Sequence, residues 1–296
     1  MNQLAVIVPA VNTLGDLLGC LAALGRERAA VELEVLVVNR LGSAANPAIL
    51  MEAPWVRILP VAASTAIPQM RALAFREARS DAVAVIEDHV IVPAGWAQRL
   101  LAGLAAGHPV VGGAVENAAT ETVLDWAAFL CEYSHCLPPL PEGETEWLTG
   151  NNIVYRRAAV EKHLALLDAG EWENALHDAL RAEGAPLWCD SGLIVGHKKH
   201  YTFWEYFSQR YLYSRSYAGA RAANAGAAKK LAMGAAAFAL PPLLFARTVQ
   251  RILAKGQHTE KLWPSLPLIA LFVLAWGWGE VVGYWFGAGD SLARVK

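Results

Sequence analysis

The chain has 296 residues, enough for one large domain with an appendage or for two modest domains. It is 55% hydrophobic and only 18% charged, and its formal net charge of -2 argues against a nucleic-acid-binding protein. The four cysteines form no CxxC pair, which fits a reduced cytosolic setting better than a disulfide framework. No basic segment precedes the first apolar run, so this run is interpreted as a strand and not as a signal peptide.

The first half of the chain alternates short apolar runs with helical patterns. Strands are predicted over 4–8, 31–38, 56–60, 82–86 and 110–115, and helices over 14–24, 67–79 and 96–106. The repeated strand–helix–strand order predicts an α/β domain with a Rossmann-like, mostly parallel sheet. Ligands of such sheets lie beyond the carboxyl ends of the strands, so the polar residues that follow each strand are the first candidates for a site.

The last third of the chain is strongly apolar. Residues 231–246 carry no charge but form a short segment with two prolines, whereas residues 262–287 contain a single acid, Glu280. Since a bilayer core is crossed by about 20 apolar residues in a helix, the second segment is long enough to span and the first is marginal. This pattern predicts a helical membrane hairpin, with a buried hairpin of a soluble protein as the alternative.

Residues 203–221 mix aromatic side chains with arginines, which is typical of a helix lying in the lipid headgroup region. The alternative is a core helix that packs its aromatic side chains on the domain.

Three polar residues follow the apolar run AVAVI at once: Glu87, Asp88 and His89. In an extended chain, positions i and i+2 point to the same side, so Glu87 and His89 are predicted to share one metal ion while Asp88 points elsewhere. A divalent cation at this place would offset charge that develops on a leaving diphosphate. A carboxylate with an imidazole suits Mn²⁺ better than Mg²⁺, which prefers oxygen ligands.

The order of these segments resembles that of the family-2 glycosyltransferases of the GT-A fold, from about Leu4 to Arg221. The opening VIVPAVNTLGDLLGCLAAL is similar to their first strand and helix, and MRALAFREARSDAVAVIEDHVIVPAGW resembles their ARN-G-A-GD-DxD-P-GW block. The later segments LTGNNIVYRR, EWENALHDALRAEG and LIVGH are similar to those that precede the acceptor side, carry the carboxylate of the catalytic base and end at a metal-binding histidine. The resemblance implies an inverting transfer of a sugar from a nucleotide-sugar.

The resemblance also implies a set of site residues. The metal ligands are Glu87 and His89 of the triplet together with His197, for which His200 is the competitor. Glu173 is the expected catalytic base, and Asp178 is the alternative. The implied donor-binding residues are Pro9, Asn39, Arg71, Asp88 and Gly113. The implied acceptor-binding residues are Trp126, Glu132, Asn151, Asn152, Arg210 and Arg215.

The predicted organisation is a GT-A glycosyltransferase domain over 1–200, a juxtamembrane amphipathic segment over 201–229 and a membrane hairpin over 230–296. The expected partners are a nucleotide-sugar donor, with a UDP-sugar first, and a lipid-linked acceptor such as a polyprenyl phosphate. The expected location is a bacterial inner membrane, with the catalytic domain on the cytoplasmic side.

Two other interpretations stay open. The triplet reads EDH where DxD is usual, and Ala72 stands at the asparagine of the ARN motif, which leaves room for a non-catalytic module that binds nucleotide-sugar or lipid. A nucleotidyltransferase is less favoured, because VIVPAVNTLGD has no glycine-rich, lysine-bearing phosphate loop.

Overall fold

The protein is described from a computed structural model that covers residues 2–296. Its strands are β1 Gln3–Ala10, β2 Glu32–Asn39, β3 Val56–Pro60, β4 Ala82–Val85, β5 Val90–Ile91, β6 Val110–Asn117, β7 Gly143–Thr145, β8 Ile153–Arg156 and β9 Leu187–His197. Its helices are α1 Leu14–Glu27, α2 Asn46–Glu52, α3 Ile67–Glu77, α4 Trp96–Ala105, α5 Val123–Tyr133, α6 Arg157–Glu161, α7 Leu164–Asp168, α8 Glu173–Ala182, α9 Phe203–Arg221, α10 Ala227–Ala237, α11 Leu240–Lys255, α12 Thr259–Phe286 and α13 Ser291–Arg294.

One sheet organises the first of two compact units, which comprises residues 1–118 and 136–198. Its strand order is β3-β2-β1-β4-β8-β6-β9-β5, and β7 pairs with β9 at the side. The strands β3, β2, β1 and β4 are mutually parallel, as the strand–helix–strand pattern predicted. Helices such as α1 and α3 connect them, so β1 is buried from Leu4 to Ala10 and forms the centre of the core.

The second half of the sheet departs from a purely parallel arrangement. Strand β8 runs antiparallel between β4 and β6, and the short strands β5 and β7 are antiparallel to β9. Strand β6 is parallel to β9, with an irregularity between Gly112 and Ala114. The mixed α/β fold is therefore confirmed, with antiparallel strands added where the chain returns towards the carboxyl edge of β4.

The second unit is helical and comprises residues 119–135 and 199–296. Helix α12 is long and apolar enough to cross a membrane, and half of its apolar window is buried within the protein. Helices α10 and α11 meet at an angle of 50° and pass the same test of length and composition only when taken together. A core helix of a soluble protein can have these properties too, so the membrane hairpin remains a prediction. Helix α5 belongs to this helical unit and not to the unit that contains the sheet. The division of the chain therefore differs from the predicted single boundary at residue 200.

A buried tyrosine–histidine pair yields a prediction about pH. His177 of α8 is almost completely buried and forms a 2.8 Å hydrogen bond to the hydroxyl of Tyr155. Burial lowers the pKa of His177 to about 4 from an ordinary value of 6.5. As the pH falls from 6.5 towards 4, His177 binds a proton in the unfolded chain but stays neutral in the native protein. The free energy of unfolding therefore decreases by up to about 3 kcal/mol over this window.

We expect His177→Gln to flatten the decline of unfolding free energy between pH 6.5 and 4, because the variant has no such proton to take up. The measurement is denaturant unfolding at several pH values. Tyr155→Phe is the matched control, since it removes the hydrogen bond but leaves His177 buried, and it should keep the decline. An equally steep decline in His177→Gln would contradict the assignment.

Candidate functional site

A tight turn at the carboxyl end of β4 positions the polar triplet. The backbone N–H of Val90 donates to the carbonyl of Glu87 at 3.1 Å, so the chain reverses over these residues. The prediction of an extended segment was wrong here, yet the turn still brings the two expected side chains together. The Glu87 Oε2 and His89 Nε2 atoms lie 3.3 Å apart.

His197, the last residue of β9, completes this cluster. It pairs in register with Val90 of β5 and Asn117 of β6, and its Nε2 lies 2.8 Å from Nε2 of His89. One ligand atom each from Glu87, His89 and His197 therefore lies within 4.8 Å of the others. Neighbouring ligands of an octahedral ion with 2.1 Å bonds are about 3 Å apart, so the three side chains fit a divalent cation. We call these three residues the metal cluster.

Asp88 is completely buried and links the turn to the end of β1 through hydrogen bonds. Its Oδ2 accepts hydrogen bonds from the backbone N–H groups of Val11 and Asn12 at 2.7 and 2.9 Å, and its Oδ1 accepts one from the Asn12 side chain at 2.7 Å. The same Oδ1 lies 3.0 Å from Nδ1 of His89. With a proton on Nδ1, His89 donates to Asp88 and presents the lone pair of Nε2 to the metal cluster, as in carboxylate–histidine–metal triads. Asp88 was expected to bind the donor, and its burial instead gives it a positioning role.

The charges of the cluster compensate one another. Burial alone would raise the pKa of Glu87, but the hydrogen bond and charge of His89, with smaller effects from His197 and Arg71, lower it. Burial would lower the pKa of His89, but its hydrogen bonds to Asp88 and Glu87 raise it to about 10. A proton on His89 therefore offsets part of the negative charge of Glu87 and Asp88, and a divalent cation bound at the cluster would replace it.

Arg71 links the metal cluster to the expected base. Its buried guanidinium donates to Glu173 Oε2 at 2.6 Å and to the carbonyl of Gly150 at 3.2 Å. Next to Gly150, the side chain of Asn151 donates to Glu87 Oε2 at 3.2 Å. The carboxylate of Glu173 packs directly on Gly150, since a Cβ at this position would lie 2.5 Å from Cδ of Glu173. Glu173, Arg71, Asn151 and the metal cluster thus form one continuous polar site.

The other expected donor residues lie in or beside the sheet. Pro9 is buried in β1 opposite Val38. Gly113 allows β6 and β9 to approach each other, because a Cβ on it would lie 2.0 Å from the carbonyl oxygen of Leu193. The side chain of Asn39 donates to Gly42 O and Asn46 Oδ1 and so organises the loop after β2.

Two further expected residues stand apart from the polar site. Asn152 is completely buried, and its amide nitrogen donates to the carbonyls of Ala114 and Leu193 at 2.8 and 3.0 Å. This placement gives Asn152 a structural role in the sheet and corrects the expectation that it contacts an acceptor. Asp178 is exposed on α8 and lies 3.8 Å from Arg181, so the structure favours Glu173 over it.

The remaining expected acceptor residues lie in the helical unit. Arg210 packs 4.3 Å from the Trp276 ring and 3.7 Å from Glu132. Arg215 donates to the carbonyl of Gly287 at 3.2 Å, and Trp126 is buried beside His258.

His200, the competitor of His197, lies in a different group of side chains. Its Nδ1 lies 3.1 Å from Asp125 and its Nε2 3.5 Å from Glu121, and these three residues form a second set of possible metal ligands in the helical unit. Asp125 already caps the first turn of α5 through Thr122.

Asn12 is the site residue that the sequence analysis missed. It bonds Asp88 and lies 3.2 Å from Nδ1 of His89, although it is more than 70 positions away in the sequence. Its position just after β1, at the carboxyl edge of a parallel sheet, is the signal that could have identified it.

Comparison with known proteins supports the fold. No family model matches the chain, and no curated protein matches it. It is similar to the mannosyltransferase PcManGT from Pyrobaculum calidifontis, solved in complex with GDP-Man and Mn²⁺, at 16% identity over 96% of this chain and 85% of that one, with a TM-score of 0.56. This likeness shows that the chain shares a glycosyltransferase fold.

TarS of S. aureus, residues 1–349, is a weaker match. It is 13% identical and aligns with a TM-score of 0.49, both alone and in complex with UDP-GlcNAc. The chain covers 64% and 65% of the length of these two structures.

We expect Asp88→Asn to weaken Mn²⁺ binding roughly 10–100-fold, because His89 loses the carboxylate that orients it. Isothermal titration calorimetry on the purified protein measures this affinity directly. Asp81→Asn, which changes an exposed aspartate paired with Arg157, is the matched control and should leave the affinity unchanged. Wild-type affinity in Asp88→Asn would show that His89 is positioned without it.

Proposed function

We propose that the protein is an inverting, metal-dependent glycosyltransferase that moves a sugar from a nucleotide-sugar to a membrane-linked acceptor. The observation that carries the proposal is the convergence of Glu87, His89 and His197 within 4.8 Å at the carboxyl edge of the sheet. The similar mannosyltransferase was solved with a nucleotide-sugar and Mn²⁺, which supports both the donor class and the cation.

In this proposal the metal cluster holds a divalent cation, and its two imidazoles favour Mn²⁺ over Mg²⁺. When bound, the cation supplies Lewis-acid stabilisation to the diphosphate leaving group. Asp88 and Asn12 keep His89 oriented towards that position. Asn151 fixes the carboxylate of Glu87 from the other side through its hydrogen bond.

Glu173 is the proposed general base. Arg71 and Gly150 define the position of its carboxylate, and the side chain of Glu173 is about one-fifth exposed, which leaves it accessible to an acceptor hydroxyl. It accepts the hydroxyl proton while the acceptor oxygen attacks the anomeric carbon, a contribution of typically 10²–10⁴-fold in rate. Arg71 stands between Glu173 and the metal cluster, which places one cation beside both the base and the expected diphosphate.

The acceptor is proposed to be lipid-linked, either a polyprenyl phosphate or a lipid with a free hydroxyl. Helix α12 has the length and composition of a membrane span. Large aromatic side chains of the helical unit are exposed: Trp204 is 73% and Trp263 is 59% exposed. Exposed tryptophans of this kind suit a membrane interface. These features support the proposal of a membrane location, and the location we propose is the inner membrane of a bacterium with the sheet unit in the cytoplasm.

The first experiment is a thermal-shift panel of UDP- and GDP-sugars with and without Mn²⁺. We expect one donor to raise the melting temperature only when Mn²⁺ is present, since a ligand at 100 times its Kd stabilises the native state by about 2.7 kcal/mol. His197→Ala should abolish the shift. Glu121→Gln, in the second acid–histidine group, is the matched control and should retain it. A shift retained in His197→Ala would overturn the proposal.

The second experiment addresses the acceptor. With a hydroxyl acceptor, Glu173→Gln is expected to lower the transfer rate 10²–10⁴-fold while donor binding persists, because the base is lost. A phosphate acceptor is already an anion, so retained transfer would identify that class and remove the base role from Glu173. Asp178→Asn on the same helix is the control, and transfer assayed with a radiolabelled donor is the measurement.

A further inference from the structure

Four helices of the second unit enclose an apolar cavity of about 430 Å³. The volume is within the range of small-molecule sites. The larger lining side chains are Phe207 and Tyr211 of α9, Phe238 and Pro241 at the junction of α10 and α11, and Leu274 and Trp278 of α12. None of the lining residues is charged, so the cavity suits an uncharged, apolar occupant.

The cavity results from how the helices are joined. Helices α10 and α11 meet at an angle of 50° at the short break between Ala237 and Leu240. Pro241 packs so closely on Gly277 that a Cβ there would lie 2.5 Å from the ring. The small residues Ala237 and Ala275 line the space that remains. The bend and the small side chains hold the cavity open.

The mouth of the cavity is itself apolar and exposed. Phe238, Leu274 and Trp278 line the cavity, yet they are 59%, 54% and 57% exposed. Large exposed apolar patches mark interaction sites. Because these side chains face both the cavity and the surroundings, a flexible chain can enter from the side.

The depth of the cavity matches the hydrocarbon region of one leaflet. Its lining on α12 runs from Leu274 to Val281. At 1.5 Å per residue this stretch lies about 8–18 Å from the end of the helix at Phe286. Half of a bilayer core is about 15 Å thick, so with the end of α12 at the interface the cavity lies among the acyl chains.

Positive charge lies beyond the cavity on the side of that helix end. Between Tyr213 and Lys230 the chain carries Arg215, Arg221, Lys229 and Lys230 and no acid. Arg215 follows Tyr211 by one helical turn and reaches the carbonyl of Gly287. The indole of Trp285 donates to Leu231 O, which brings the neighbouring Lys230 to the same end of α12. Only Arg221 is paired with a carboxylate, that of Glu280, among these cations in residues 2–296.

We propose that the cavity binds the hydrocarbon chain of an anionic membrane lipid, with the lipid phosphate beside Arg215, Lys229 and Lys230. The apolar lining favours the hydrocarbon chain of the lipid, and the excess of cations favours a negatively charged head group. Cations near a membrane surface attract anionic lipids. This site goes beyond sugar transfer, because it requires neither a donor nor the metal cluster.

The test uses the full-length protein in phosphatidylcholine nanodiscs, without any sugar donor. A trace of phosphatidic acid with a diazirine at the end of one acyl chain is photolysed, and the labelled peptides are mapped by mass spectrometry. We expect labelling of cavity residues at least five-fold above that by a phosphatidylcholine probe with the same chain. An excess of unlabelled phosphatidic acid should suppress it, and this arm needs no variant.

Two sets of variants sharpen the test. Ala237→Leu and Ala275→Leu fill the cavity and should lower the labelling at least five-fold, whereas Leu271→Met, at an exposed position of α12 outside the lining, should not. Lys229→Gln with Lys230→Gln should remove the preference for phosphatidic acid. Even labelling along all exposed apolar positions would overturn the proposal. If the lipid probe labels the cavity but the protein transfers no sugar, the proposed function is refuted and the lipid site is retained.

Discussion

The hydrogen bonds to the carboxylate of Asp88 are the constraint on which the polar site depends. They join the end of β1, through Val11 and Asn12, to the turn after β4, and they reach His89 in the same step. Burying a charged carboxylate costs several kcal/mol unless hydrogen bonds and nearby positive charge offset it. Here the donors converge on Asp88, so they offset the cost of its charge and tie the turn to the end of β1.

The position of the turn matters because the metal cluster is built from two distant parts of the chain. Glu87 and His89 come from the turn and His197 from the end of β9, and the pairing of β5 with β9 sets their separation. The same hydrogen bonds that hold Asp88 and His89 therefore place the side chains of the metal cluster.

Much of the sheet could be predicted from the sequence, because its strands are short apolar runs bounded by helical patterns. The strand Val56–Pro60 and the helix Phe203–Arg221 have the predicted bounds, and the metal cluster contains the three residues named in advance. The positioning role of Asp88 and the structural role of Asn152 could not be predicted. Each depends on hydrogen bonds to residues more than 35 positions away, and local patterns carry no information about such partners.

The antiparallel insertion of β8 shows why such long-range pairing decides the site. Because β8 lies between β4 and β6, the loop before it brings Gly150 and Asn151 to the carboxyl edge of β4. Arg71 reaches the same loop from α3 and holds Glu173 from α8 against it. A purely parallel sheet would have put a helix connection at this place, and the loop that joins the base to the metal cluster would be absent. The antiparallel half of the sheet is therefore what joins Glu173 and Arg71 to the metal cluster in one polar site.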